Sequence, residues 1–120
     1  MNKILVIDDD VAINELIKVN LELSGYKVIQ AFEGITGFAL AKQELPSVVV
    51  LDVMMPKING YKISRLLKYD NKYKDIPILM ITARSQEGDK LIGEETGADE
   101  YITKPFDLND VVNRVRKYLG

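Results

Sequence analysis

Four short apolar runs rich in β-branched residues recur along the chain: Ile4 to Ile7, Val28 to Ile29 within KVIQA, Val48 to Leu51, and Ile76 to Ile81. A weaker fifth follows in EYIT. The runs are continuous rather than alternating, which is the pattern of strands buried on both faces, and such strands belong to parallel sheets. The intervening segments carry helical spacing. Leu108, Val111, Val112, Val115 and Leu119 fall on one face of the last, and Ile13, Leu16, Ile17 and Leu21 on one face of the first. A β-α unit repeated five times predicts an α/β fold, with helices on both sides of a parallel sheet. Gly25 is placed to stop the first helix, Asn59-Gly60 to turn into the third, and Pro77 to open the fourth strand. No linker divides the 120 residues, enough for one domain that buries roughly two-thirds of its unfolded surface.

Ligands of an open parallel sheet gather outside the carboxyl ends of its strands. The first run ends in Asp8-Asp9, the third in Asp52 (VVVLDVMMP), the fourth in Thr82 (ILMITAR), and the fifth leads to Lys104 (YITKPF). The second ends in Gln30-Ala31 and offers nothing comparable. Composition narrows the chemistry. Without cysteine or histidine the chain has no thiolate nucleophile, no serine-histidine triad, no imidazole base and no nitrogen- or sulfur-bound metal. A net charge of -2, from 16 basic and 18 acidic residues, sets up no field for nucleic acid or anionic lipid. The apolar runs are too short to span a bilayer and Met1 to Ile7 too short for a signal peptide, so a cytoplasmic location is expected.

Three converging carboxylates repel one another unless a cation joins them. Mg²⁺ suits such a site, with Mn²⁺ able to substitute, because it takes one or two carboxylates and completes its shell with water and phosphate oxygens. With a phosphoryl group added, one carboxylate can attack phosphorus while the metal, an ammonium and a hydroxyl share the charge of the other oxygens. Asp52, alone on a central strand and facing the acidic pair, is the best candidate nucleophile.

ILVIDDD, LDVMMPKINGY, ILMITAR and GADEYITKPF, in this order over the whole chain, resemble the receiver domain of two-component response regulators. The resemblance implies a single receiver domain over residues 1–120, CheY-like and flavodoxin-like in fold. Its five strands would form one doubly wound parallel sheet in the order 2-1-3-4-5, with five helices. By position, Asp52 matches the phosphoacceptor and Asp9 a direct Mg²⁺ ligand, with Asp8 acting through water and Met54 through its backbone carbonyl. Thr82 matches the switch hydroxyl, Tyr101 the aromatic that swings inward with it, and Lys104 the cation on a phosphoryl oxygen. Lys104-Pro105 resembles the family's cis peptide. The implied donor is the phosphohistidine of a sensor histidine kinase, in keeping with a chain that has no histidine of its own. Such a domain catalyses its own phosphorylation and is not a turnover enzyme.

In this family the positions two beyond the phosphoacceptor and two beyond the switch threonine tune dephosphorylation. Here they are Met54 and Arg84, neither suited to orient water, so self-dephosphorylation over minutes or longer is expected. The implied output is a change in the surface of the fourth helix, fifth strand and fifth helix. SQEGDKLIGEETGAD, with Gly88, Gly93 and Gly97 and only Leu91 and Ile92 large and apolar inside it, predicts a weakly held fourth helix. Lys90, Glu100, Asp110, Arg114 and Arg116 resemble the charged set that pairs two receivers in the winged-helix transcription-factor subfamily, implying a phosphorylation-dependent homodimer. Glu94 departs from the apolar residue usual there.

The alternative from another class is a Mg²⁺-dependent phosphohydrolase with an aspartyl nucleophile at the end of the first strand. Asp8 and Asp10 fit its spacing, but no connection is long enough for a substrate-covering cap. A flavodoxin-like FMN binder would need a Ser/Thr/Gly-rich phosphate loop where DDDVA stands. Asp10, directly before a helical pattern, reads as an N-cap. Asp8 and Asp9 are then the cost of holding a metal beside Asp52, and neutralising Asp9 is expected to stabilise the metal-free fold. A free-standing receiver and a receiver within a longer regulator both remain open.

Overall fold

Strands form where the apolar runs lie, because only a segment apolar on both faces can occupy the middle of three layers. The computed structural model describes residues 2–82 and 97–119. Its strands are β1 (Lys3–Ile7), β2 (Lys27–Ala31), β3 (Val48–Asp52), β4 (Ile78–Thr82) and β5 (Glu100–Thr103), and its helices α1 (Val11–Leu23), α2 (Gly34–Glu44), α3 (Gly60–Lys68) and α4 (Leu108–Lys117). All strand pairs are parallel and the order is β2-β1-β3-β4-β5, as the resemblance implied. Most of the segment predicted as the fourth of five helices, residues 85–99, lies outside the described residues, and so do Arg84, Lys90 and Glu94.

Alternate strand residues serve opposite cores. Leu5, Ile7, Val49, Leu51, Ile78 and Met80 pack with Ala41 of α2 and with Ile63 and Leu67 of α3. Ile4, Val6, Val48, Val50, Leu79 and Ile81 pack with Ile17 and Leu21 of α1 and with Val111, Val112 and Val115 of α4. The register sets Ile7 beside Ala31 and Leu51, Asp52 beside Ile81, and Thr82 beside Thr103, which brings the carboxyl ends of the strands level.

The helix boundaries follow local chemistry. Asp10 caps α1 by accepting the Ile13 N–H at 3.1 Å, and Asn59 caps α3 by accepting the Lys62 N–H at 3.1 Å. Gly25, at φ +95°, closes α1 by donating to Glu22 O while Tyr26 N–H reaches Leu21 O. Pro77 stands just before β4, where it interrupts no ladder, and its carbonyl accepts the Val49 N–H. Gly60 opens α3 in close approach to the sheet: a Cβ there would lie 2.5 Å from the carbonyl oxygen of Asp52.

One expectation about packing fails. Leu16 was placed on the buried face of α1, yet it is 53% exposed, and the buried positions are Asn14, Ile17 and Leu21. The reason is the rotation of the helix. The Asn14 amide bonds to carbonyls at the ends of β1 and β2, which turns the stripe 14/17/21 inward and leaves Leu16 outside.

Candidate functional site

The level strand ends bring Asp8, Asp9 and Asp52 together. One carboxylate oxygen from each lies within 4.8 Å of the others, so these residues could hold a metal ion. Adjacent aspartates differ sharply in depth. Asp8 is 1% exposed and Asp52 2%, whereas Asp9 and Asp10 are exposed. Asp8 accepts the Asp10 N–H on Oδ1 at 2.9 Å, but its buried Oδ2 has no hydrogen-bond partner among the described residues. Lys104, just past β5, sets its ammonium 3.0 Å from Asp52 Oδ1. The peptide that follows it, Lys104-Pro105, is cis.

Burial dominates the electrostatics. It pushes the Asp8 carboxyl up to about 6, with Asp52 and Asp9 adding to the rise while the Asp10 N–H and Lys104 oppose it. Asp52 is raised as well, by burial first, against the bond and charge of Lys104. For Lys104, burial favours loss of the proton, but the bond to Asp52 and the charges of Asp52, Asp8 and Asp10 outweigh it and hold the ammonium above its ordinary range. A buried, unpartnered carboxylate oxygen beside two further carboxylates is the surrounding that a hard cation satisfies.

The other predicted residues lie on or just beyond β3, β4 and β5 and at the start of α1. Thr82 ends β4 and is buried; its carbonyl accepts the Lys104 N–H at 2.7 Å, so backbone pairing fixes Lys104 against the sheet. Tyr101 is partly buried on β5 and packs on the core beneath α2 and α3. Met54, two residues after Asp52 in the chain, is 60% exposed beyond β3. Asp10 is engaged as the cap of α1.

Sequence reasoning missed two residues. Gln30 was read as offering nothing, but its amide donates to Asn14 Oδ1 at 3.0 Å and to Glu15 Oε1 at 2.8 Å. Asn14 went unnoticed. Its signal is that it shares the three- and four-residue spacing of the apolar stripe while being polar, a combination that marks an inward-pointing amide with partners.

A second charged cluster lies along β5 and α4, where the dimer set was predicted. Arg114 donates to Glu100 Oε1 and to the Tyr101 carbonyl at 3.1 Å each, and to Asp110 at 3.0 Å. Glu100 also accepts the Tyr118 hydroxyl at 2.6 Å and pairs with Lys117 at 3.0 Å. Burial would raise Glu100, but the bonds from Tyr118 and Lys117 and the charges of Lys117 and Arg114 hold it below the usual glutamate range. Arg116 stands apart, donating to Asn113 at 3.4 Å. Glu100, Asp110 and Arg114 are therefore engaged within one chain.

Comparison with known proteins agrees with this geometry. The family model described as the response regulator receiver domain matches residues 4–116. The chain is 49% identical over 119 residues to the DNA-binding dual master transcriptional regulator RpaA of Synechocystis, covering 99% of this chain and 49% of that protein. It is 45% identical over 117 residues to the alkaline phosphatase synthesis transcriptional regulatory protein PhoP of Bacillus subtilis, covering 98% of this chain and 48% of that one. The chain thus spans about half the length of these relatives. Among solved structures, the BeF3-activated receiver domain of DrrB, a Thermotoga maritima OmpR/PhoB homologue, is similar with a TM-score of 0.88 and 36% identity, covering 99% of this chain and 97% of that one. Among the described residues no helix is long and apolar enough to cross a membrane. On the match over nearly its whole length, the chain belongs to the response regulator receiver domain family.

Proposed function

We propose that this chain is a phosphorylation-activated switch that takes a phosphoryl group from the phosphohistidine of a sensor histidine kinase onto Asp52. One juxtaposition carries the reading. Asp52 ends the central strand, pairs with Lys104 at 3.0 Å, and shares a cluster with Asp8 and Asp9 in which a buried Asp8 oxygen has no described partner. A carboxylate oxygen of Asp52 attacks phosphorus. The new P–O bond forms as the P–N bond breaks, and the electron pair leaves on the donor imidazole, which takes up a proton. Lys104 favours the ionised form of Asp52 against the effect of burial and then shares the charge of a phosphoryl oxygen with the Thr82 hydroxyl.

Mg²⁺ fits the donor set: Asp9 and Asp52 would hold it directly, Asp8 through water and Met54 through its carbonyl. When bound, it supplies charge neutralisation for the incoming phosphoryl oxygens. Neither Met54 nor Arg84 positions water well, and loss of the phosphoryl group is correspondingly slow. The signal leaves through Thr82 and Tyr101 to the surface of the predicted fourth helix, β5 and α4. A homodimer through that surface would exchange the intrachain pairs of Glu100, Asp110 and Arg114 for pairs between chains. The output in this reading is transcriptional, as the names of RpaA and PhoP state for those proteins.

The phosphohydrolase alternative would need Asp10 for its chemistry, and Asp10 is spent on capping α1. The test is intact-mass analysis after incubation with Mg²⁺ and acetyl phosphate. One phosphoryl group is expected on the wild type and none on Asp52→Asn; modification that persists in the variant would overturn the assignment.

A further inference from the structure

Asn14 is fully buried on α1 and makes three hydrogen bonds with one amide. Its Nδ2 donates to Asp8 O and to Ala31 O, each at 3.0 Å, and its Oδ1 accepts from Gln30 Nε2 at 3.0 Å. Ala31 O also accepts the Asp8 N–H at 3.1 Å, so the Asp8 N–H is tied to the end of β2 directly and its carbonyl through Asn14. The peptide whose carbonyl Asn14 holds is the one joining Asp8 to Asp9. That peptide plane sets the position of the Asp9 Cα, because the amide bond does not rotate.

Packing alone does not explain this residue. An apolar side chain would fill the same position without the desolvation of an amide, and the rotation that turns Asn14 inward leaves Leu16 in solvent. Carbonyls just beyond a strand end are also ordinarily satisfied by water or by a following turn. The side chain fixes the one segment from which two of the three clustered carboxylates project.

We infer that Asn14, braced by Gln30, is a positioning residue for the metal: it holds the Asp8-Asp9 peptide so that both carboxylates meet Asp52. The inference rests on the proposed Mg²⁺ site. Groups that orient metal ligands through hydrogen bonds typically change affinity by roughly tenfold or more when removed.

The experiment titrates Mg²⁺ by calorimetry into the whole chain as wild type, Asn14→Leu, Gln30→Leu and Ile17→Ala. Ile17 lies one turn further along the same buried face, in the apolar core that holds Ile4 and Val6, so its truncation reports loss of stability. Roughly tenfold weaker binding is expected for Asn14→Leu, a smaller weakening for Gln30→Leu, and unchanged binding for Ile17→Ala despite its lower melting temperature. Amide hydrogen exchange read at Asp9 and Asp10 without metal should accelerate in Asn14→Leu and not in Ile17→Ala. Wild-type affinity in Asn14→Leu, or equal weakening in Ile17→Ala, would overturn the inference. Absence of Mg²⁺ binding by the wild type would remove the metal reading itself, and the inference with it. Should Asn14→Leu fail to fold, Asn14→Ser and Gln30→Leu carry the same comparison.

Discussion

Asp8 and Glu100 are both acidic side chains at strand ends, one just after β1 and the other opening β5, and burial raises the proton affinity of each. Asp8 ends at about 6, whereas Glu100 ends below the ordinary glutamate range. The difference lies in their partners. Glu100 receives a hydroxyl, an ammonium and a guanidinium from α4 and the residue that follows it. Asp8 receives one backbone N–H and faces two further carboxylates. Glu100 is satisfied within the fold and belongs to the architecture, whereas Asp8 is one of three carboxylates that could hold a metal ion.

Four substitutions test this contrast. The largest effect is expected at Asp8. Its folded pKa lies above its unfolded one, so its protonated form favours the fold. Metal-free stability should therefore fall as pH rises between about 4 and 6 and stay low above that. Asp8→Asn should flatten this dependence and raise metal-free stability at pH 8 by about 2–3 kcal/mol in urea unfolding, with the gain shrinking once Mg²⁺ is added. An equal gain with and without Mg²⁺ would mean that Asp8 has no part in metal binding. The sequence had pointed to Asp9 for this effect; the structure moves it to Asp8, because Asp8 is the buried one of the pair.

Glu100 should behave in the opposite sense. Its stabilisation is present above the ordinary glutamate pKa and is lost as pH falls through the lowered folded value. Glu100→Gln should lose about 1 kcal/mol at neutral pH and remove that acid-side loss, as followed by thermal unfolding across pH. A steeper acid dependence in the variant would contradict the assignment. The smallest effect concerns the rim. Lys117→Ala should cost less than about 0.5 kcal/mol, since its ammonium is largely exposed, whereas Tyr118→Phe should move the Glu100 titration further, by carboxyl NMR. The reverse ranking would show that charge rather than the short hydroxyl bond holds Glu100 down.

What was legible in the sequence was whatever depended on neighbours along the chain. Continuous runs such as Val48 to Leu51 announce a strand covered on both sides, and Asp10, Gly25 and Asn59 mark helix ends because capping is a matter of a few residues. Strand ends also indicated where Asp52, Thr82 and Lys104 would gather, since a parallel sheet puts its carboxyl ends on one side. Depth was not legible. Asp8 and Asp9 are identical in type and adjacent, and only the bond from the Asp10 N–H and the covering of the sheet decide which is buried. The turn of α1 was misjudged for the same reason: apolar spacing fits Leu16 inward, and long-range bonds from Asn14 to Asp8 and Ala31 override it.

Gly60 is usually the kind of residue credited with looseness, yet here it works as a fixed joint. With the first turn of α3 resting against the Asp52 carbonyl, even a methyl group at position 60 would force the helix away or the strand end back. The backbone that carries Asp52 is thus clamped by the absence of a side chain. A change at Gly60 would look in a mutational screen like damage to the acidic cluster, although it adds and removes no charge.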